Sequence, residues 1–89
     1  MGIDAVTDAA FHLERLRAEL LGHSWAADVI GAARHPVLRV HNPAEAEMHD
    51  EVVCQDGTFH WAWGGFIGPV VDLAEVTDRI MFVLREVTP

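Results

Sequence analysis

The chain has 89 residues, just over half of them apolar (51%), with 6 arginines against 14 acidic residues and a formal net charge of −8. That length bounds it to one domain with one core, and the composition is far from that of disordered chains. The charge disfavours direct DNA or RNA binding, which needs Lys and Arg to neutralise phosphates.

The chain has no lysine, which removes Schiff-base chemistry, a phosphate-cradling P-loop lysine and a Ser-Lys dyad. Cys54 is the single cysteine, so no intramolecular disulfide forms and no thiolate metal knuckle can be assembled. Asp4, Asp8 and Glu14 stand where a signal peptide would need a basic start and an unbroken apolar stretch, and no apolar run reaches the roughly 20 residues of a membrane span. These features predict a cytoplasmic protein with no membrane or nucleic-acid partner.

In chain order, the first predicted element is a helix from about Thr7 to Leu21. Val6, Ala9, Ala10, Leu13, Leu16 and Leu20 recur at three- and four-residue spacing, with Glu14, Arg15 and Glu19 off the stripe. Asp4 or Thr7 can cap its start, and Gly22 is the expected left-handed stop. Trp25 to Ile30 reads as a first strand, interrupted by Asp28 and followed by the turn-like 31–36 stretch. Val37 to His41 is a second strand, with Leu38 and Val40 inward and Arg39 and His41 outward, stopped by Asn42-Pro43.

The clearest strand signal is the hairpin at Asp56-Gly57, the dipeptide favoured in two-residue type I′ turns. Its register follows: Gln55 opposes Thr58, Cys54 opposes Phe59, Val52 opposes Trp61 and Asp50 opposes Trp63, while Val53 faces His60 and Glu51 faces Ala62 on the other side. The apolar load of Phe59, Trp61 and Trp63 marks their face as the one covered by helices. After Gly68-Pro69 a closing helix is expected from Asp72 to about Glu86, opened by an Asp72/Glu75 capping box. Its stripe is Leu73, Val76, Thr77, Ile80, Val83, Leu84 and Val87. The predicted fold is therefore α+β and two-layered: an N-terminal helix, an antiparallel sheet of three or four strands and a C-terminal helix, in a single domain over 1–89.

Candidate chemistry is sparse. His41, His49 and His60 share the open face with Glu51 in this register, a donor set suited to zinc, but no HxH, HxxxH or HExxH pair supports it; no metal or cofactor is expected. Six histidines on an acidic chain would lower its negative charge as imidazoles titrate near pH 6.5. A Cys54 nucleophile served by His60 fails on strand parity, since the two point to opposite faces. Ser24, the only serine, lacks a Gly-x-Ser-x-Gly setting. Carboxylate pairs such as Glu45 with Glu47 or Asp50 with Glu51 lack an enclosing pocket. The run Trp61 to Pro69 combines two indoles with glycines. It could cradle an anion, but glycines there more often turn the chain and let backbone pass beside bulky rings.

The pattern Val37-Leu38-Arg39-Val40, Asp56-Gly57, Phe59-His60-Trp61-Ala62-Trp63-Gly64 and Val76-x-x-x-Ile80-x-x-x-Leu84 resembles small acidic proteins of actinobacterial type, largely uncharacterised, over nearly the whole chain. The resemblance implies a helix-sheet-helix layout and transfers no functional residue. In element order alone the layout is also similar to the dimeric acidic chaperones of type III secretion, none of whose motifs is present.

Two aromatic residues break the amphipathic patterns. At 100° per residue Phe82 falls among Glu75, Asp78, Arg79 and Arg85, and Phe11 lies on the side of Arg15 and Ala18, so both rings are expected on outer helix faces. Two helices side by side would bring them toward one surface fit for a dimer or partner interface. The sequence thus predicts a non-enzymatic accessory or regulatory protein acting by protein–protein binding, as a homodimer through Phe11 and Phe82. The alternative is a small-ligand-binding protein or minimal biosynthetic enzyme with a pocket near Gly64 to Pro69, against which stands the little room expected for a ligand site of about 300 Å³.

Overall fold

The computed structural model describes residues 5–31, 34–44 and 47–85, with side chains from residue 9 onward in the first helix. Helix α1 (Ala5–Gly22) leads into strands β1 (Ala26–Ile30), β2 (Val37–His41), β3 (His49–Gln55), β4 (Thr58–Trp61) and β5 (Phe66–Pro69), and helix α2 (Leu73–Leu84) closes the fold. The strands form one antiparallel sheet in the order β1-β2-β3-β4-β5. The helix-sheet-helix, α+β layout agrees with the expectation; the sheet has five strands rather than three or four.

The additional strand is β5. Positions 61–65 form a hairpin with the three-residue loop Ala62-Trp63-Gly64: Trp61 N–H donates to the Gly65 carbonyl (2.7 Å), Gly64 N–H donates to the Trp61 carbonyl (2.8 Å), and Gly64 has φ 114°. Pro69 is tolerated because β5 is an edge strand, where a missing N–H breaks no ladder bond. The same loop overturns the inward placement of Trp63. Strand β4 ends at Trp61, so alternation stops two residues early and Trp63 rides on the turn, 69% exposed. Its expected neighbour is kept all the same, as the indole N–H donates to Asp50 Oδ2 at 3.0 Å.

The Asp56-Gly57 hairpin has the derived register, Gln55 with Thr58, Cys54 with Phe59 and Val52 with Trp61. Positive φ at both Asp56 (54°) and Gly57 (75°) is the type I′ signature. Leu13, Leu16 and Leu20 of α1 and Val76, Ile80 and Leu84 of α2 pack on Leu38, Val40, Val52, Phe59 and Trp61, all buried. Helix α1 lies over β1 to β3, α2 lies beside β5, and the helices touch each other. Thr77 stays in this core by donating its hydroxyl to the Leu73 carbonyl (2.8 Å).

The helix ends differ from expectation. Gly22 is still helical, and the left-handed residue is Ser24 (φ 67°). Trp25 N–H donates to the Leu20 carbonyl (3.0 Å) and Ser24 N–H to the Leu21 carbonyl (2.9 Å), a Schellman pair. At α2 the Asp72 side chain makes no capping bond; its carbonyl accepts from Val76 N–H (3.0 Å), and Glu75 reaches forward to Arg79 instead of back. Val83 leaves the expected core stripe and is 49% exposed. Asp4, Glu45, Glu86 and Val87 lie outside the described residues, as do the side chains of Val6 and Thr7. Buried Asn42 joins the layers: its Nδ2 donates to the Leu84 carbonyl at the end of α2 (2.8 Å) and its Oδ1 accepts from Ala44 N–H (2.8 Å).

Candidate functional site

The groove between β5 and α2 is lined by two of the exposed aromatic residues, Phe66 and Phe82. Phe66 (61% exposed), Phe82 (62%) and Val83 line it together with Trp61, Ile67, Glu75, Asp78 and Arg79, around an open volume of about 520 Å³. Trp63 extends the surface, its ring stacked on Trp61 with an interplanar angle of 4° and centroids 6.3 Å apart. Each ring is there for a local reason. Phe66 pairs with His60 on the side of the sheet away from the helices, and Phe82 lies off the buried stripe of Val76, Ile80 and Leu84.

Two glycines bring this wall together. A Cβ on Gly65 would lie 2.6 Å from Trp63 Cη2 and 3.1 Å from Trp61 Cδ1, so only glycine lets the backbone pass under both indoles. A Cβ on Gly68 would lie 2.8 Å from Val76 Cγ2, so the absence of a side chain there sets how closely α2 approaches β5. These contacts favour the structural reading of the glycine run over an anion cradle.

The groove is closed to strand pairing but open to side chains. Arg79 Nη1 donates to the Ile67 carbonyl (3.0 Å), its Nη2 pairs with Glu75 (3.2 Å), Pro69 has no N–H, and the ladder shifts between Phe59 and His60. Exposed edge strands recruit other chains unless blocked by such devices.

Phe11 and Phe82 are both exposed, as expected, at 57% and 62%. Phe82 lines the groove and Phe11 does not; the ring contacts of Phe11 are with His12 (5.4 Å between centroids) and the Arg15 guanidinium (5.9 Å). Phe82 carries the Arg85 guanidinium 4.1 Å above its ring. The groove residue that sequence reasoning missed is Phe66, placed only once β5 is recognised as a strand.

The histidines converge in part. His41 and His49 are cross-strand neighbours with ring centroids 5.4 Å apart, whereas His60 sits between Val53 and Phe66, edge-on to the latter (6.0 Å). Glu51 is engaged by Arg39 (3.0 Å). Among the described residues no group of three or more His, Cys, Asp or Glu is placed to hold a metal. Cys54 and His60 occupy opposite faces, as the register required, with Cys54 half-buried against the core.

A second cleft, of about 720 Å³, lies at the other end of the sheet, where His12, Arg34, His35 and Val37 meet Val53 to Gly57. Both clefts are larger than the sequence led us to expect for a two-layer domain. The room comes from their position at the margins of the fold, outside the packed core. No described helix is long and apolar enough to cross a membrane. Comparison of the chain with family models, curated proteins and solved structures finds no match.

Proposed function

We propose that the protein is a non-enzymatic accessory or regulatory protein of the cytoplasm that works by binding another polypeptide in the β5–α2 groove. The observation that carries this reading is that Phe66, Phe82 and Val83, all exposed, line one open groove together with Trp61. Water gains nothing from such a surface, and aromatic anchors in a groove are the usual source of binding energy at interfaces. Self-association into a homodimer is a second use of the same surface, supported at Phe82 and not at Phe11. The groove's volume of about 520 Å³ also suits a small apolar ligand near Gly64 to Pro69.

Immobilised full-length chain, wild type against Phe82→Glu and Phe11→Glu, would be used to capture proteins from native cell extract, with sedimentation equilibrium run on each form. The expected result is a captured protein, or a dimer, that Phe82→Glu abolishes and Phe11→Glu leaves intact. A monomer that captures nothing in any form would contradict the proposal.

A further inference from the structure

The face of the sheet that carries no helix holds a separate arrangement. Leu38 and Val40 of β2 and Val52 of β3 are buried under the helices, so by alternation Arg39, His41, His49 and Glu51 stand on the opposite side. His41 and His49 are direct cross-strand partners. Just beyond them Asn42 N–H donates to the Met48 carbonyl (3.0 Å), which makes Asn42 and Met48 a hydrogen-bonded pair. His41 and His49 are then the adjoining non-hydrogen-bonded pair, the kind whose side chains stand closer together. Their ring centroids are 5.4 Å apart.

That separation suits chelation. An imidazole nitrogen binds zinc at about 2.0–2.1 Å, which sets two ring centroids about 5 Å apart when both meet one ion at a tetrahedral angle. Repulsion from nearby cations is small. Arg39 is the one arginine on β1, β2 and β3, and Glu51 engages it at 3.0 Å, with Asp28 opposite it on β1. Among the described residues no third His, Cys, Asp or Glu completes a cage, so water takes the remaining positions and the ion exchanges with solution. We propose that His41 and His49 form a two-histidine site for a nitrogen-preferring divalent cation of the zinc and copper class. No short motif joins positions 41 and 49; the hairpin register makes the site. It is independent of the β5–α2 groove and of the binding reading given above.

The test is calorimetric titration of the untagged full chain, first stripped with a chelator, with Zn2+, Cu2+ and Mg2+. The expected result is one Zn2+ bound per chain, tighter binding of Cu2+, and no binding of Mg2+, which prefers oxygen ligands. His41→Gln and His49→Gln should each weaken zinc binding by about tenfold or more, a difference of about 1.4 kcal/mol, whereas His60→Gln leaves it unchanged. Zinc should raise the melting temperature of the wild type and of His60→Gln but not of the double variant His41→Gln with His49→Gln, since the ion ties β2 to β3 only in the folded chain. His49 is exposed and outside the core, so His49→Gln decides the matter if His41→Gln does not fold. Zinc binding retained in full by His49→Gln marks an adventitious ion only and overturns the proposal. So does a wild type that binds no zinc, or a loss in His60→Gln as large as in His49→Gln.

Discussion

The two edges of the sheet are guarded alike and decorated differently. At β1, Arg17 of α1 donates from Nε to the Ala27 carbonyl (2.9 Å) and pairs with Glu14 one turn earlier (3.6 Å). At β5, Arg79 of α2 donates to the Ile67 carbonyl (3.0 Å) and pairs with Glu75 one turn earlier (3.2 Å). In both places a helix lends an arginine to an edge strand, which hinders the open-ended pairing that exposed edges invite. Only β5 then adds an exposed ring, Phe66, on a groove that α2 lines with Phe82, whereas no residue of β1 is a large exposed hydrophobic. An edge that is shut to backbone pairing yet rich in aromatic surface selects side-chain recognition over aggregation.

The largest expected effect lies beneath the β5 edge, where two stacked indoles have opposite roles. Trp61→Ala should destabilise the fold by about 3 to 5 kcal/mol in urea unfolding, because its ring is buried in the core, whereas Trp63→Ala should cost about 1 kcal/mol or less. Equal losses would mean that Trp63 belongs to the core and that β4 extends past the turn. A smaller effect is expected from Gly68→Val. The added side chain meets Val76 and forces α2 away from β5, so unfolding should be easier by about 1 to 3 kcal/mol. An unchanged midpoint would show that α2 is not held at that spacing.

The smallest change in stability should come from the guards themselves. Arg17→Met and Arg79→Met each remove a partly exposed ion pair and one hydrogen bond, together about 1 kcal/mol or less after solvent screening. Light scattering against concentration separates the two edges more clearly. Association should rise more for Arg79→Met, which frees an edge already bearing Phe66, than for Arg17→Met. The reverse order would remove the distinction between the edges.

The middle of the sheet was legible because local chemistry dictates it. Asp56-Gly57 fixes a turn type, the turn type fixes the register, and strict alternation from Val37 to His41 fixes the facing. The end of the sheet was not, because Pro69 reads as a strand breaker unless the strand is known to lie at an edge, and edge position follows from tertiary order. With β5 hidden, Trp63 was carried inward by extrapolated alternation and Phe66 went unrecognised. The anomaly of Phe82 was visible from helical periodicity alone, but the other exposed ring of its groove, Phe66, was not. Helix ends were legible only as residue types: Ser24 holds the left-handed position beside an available Gly22 because the Schellman bonds fall two residues further on.

The claim that the β5–α2 groove is the working surface can be tested most directly by hydroxyl-radical footprinting of the full chain in native cell extract, compared with the same chain in buffer. The account predicts that oxidation of Phe66 and Phe82 falls several-fold in the extract while Phe11 and Leu21, also exposed, react as before. Protection of Phe11 and Leu21 with the groove residues unchanged would contradict it.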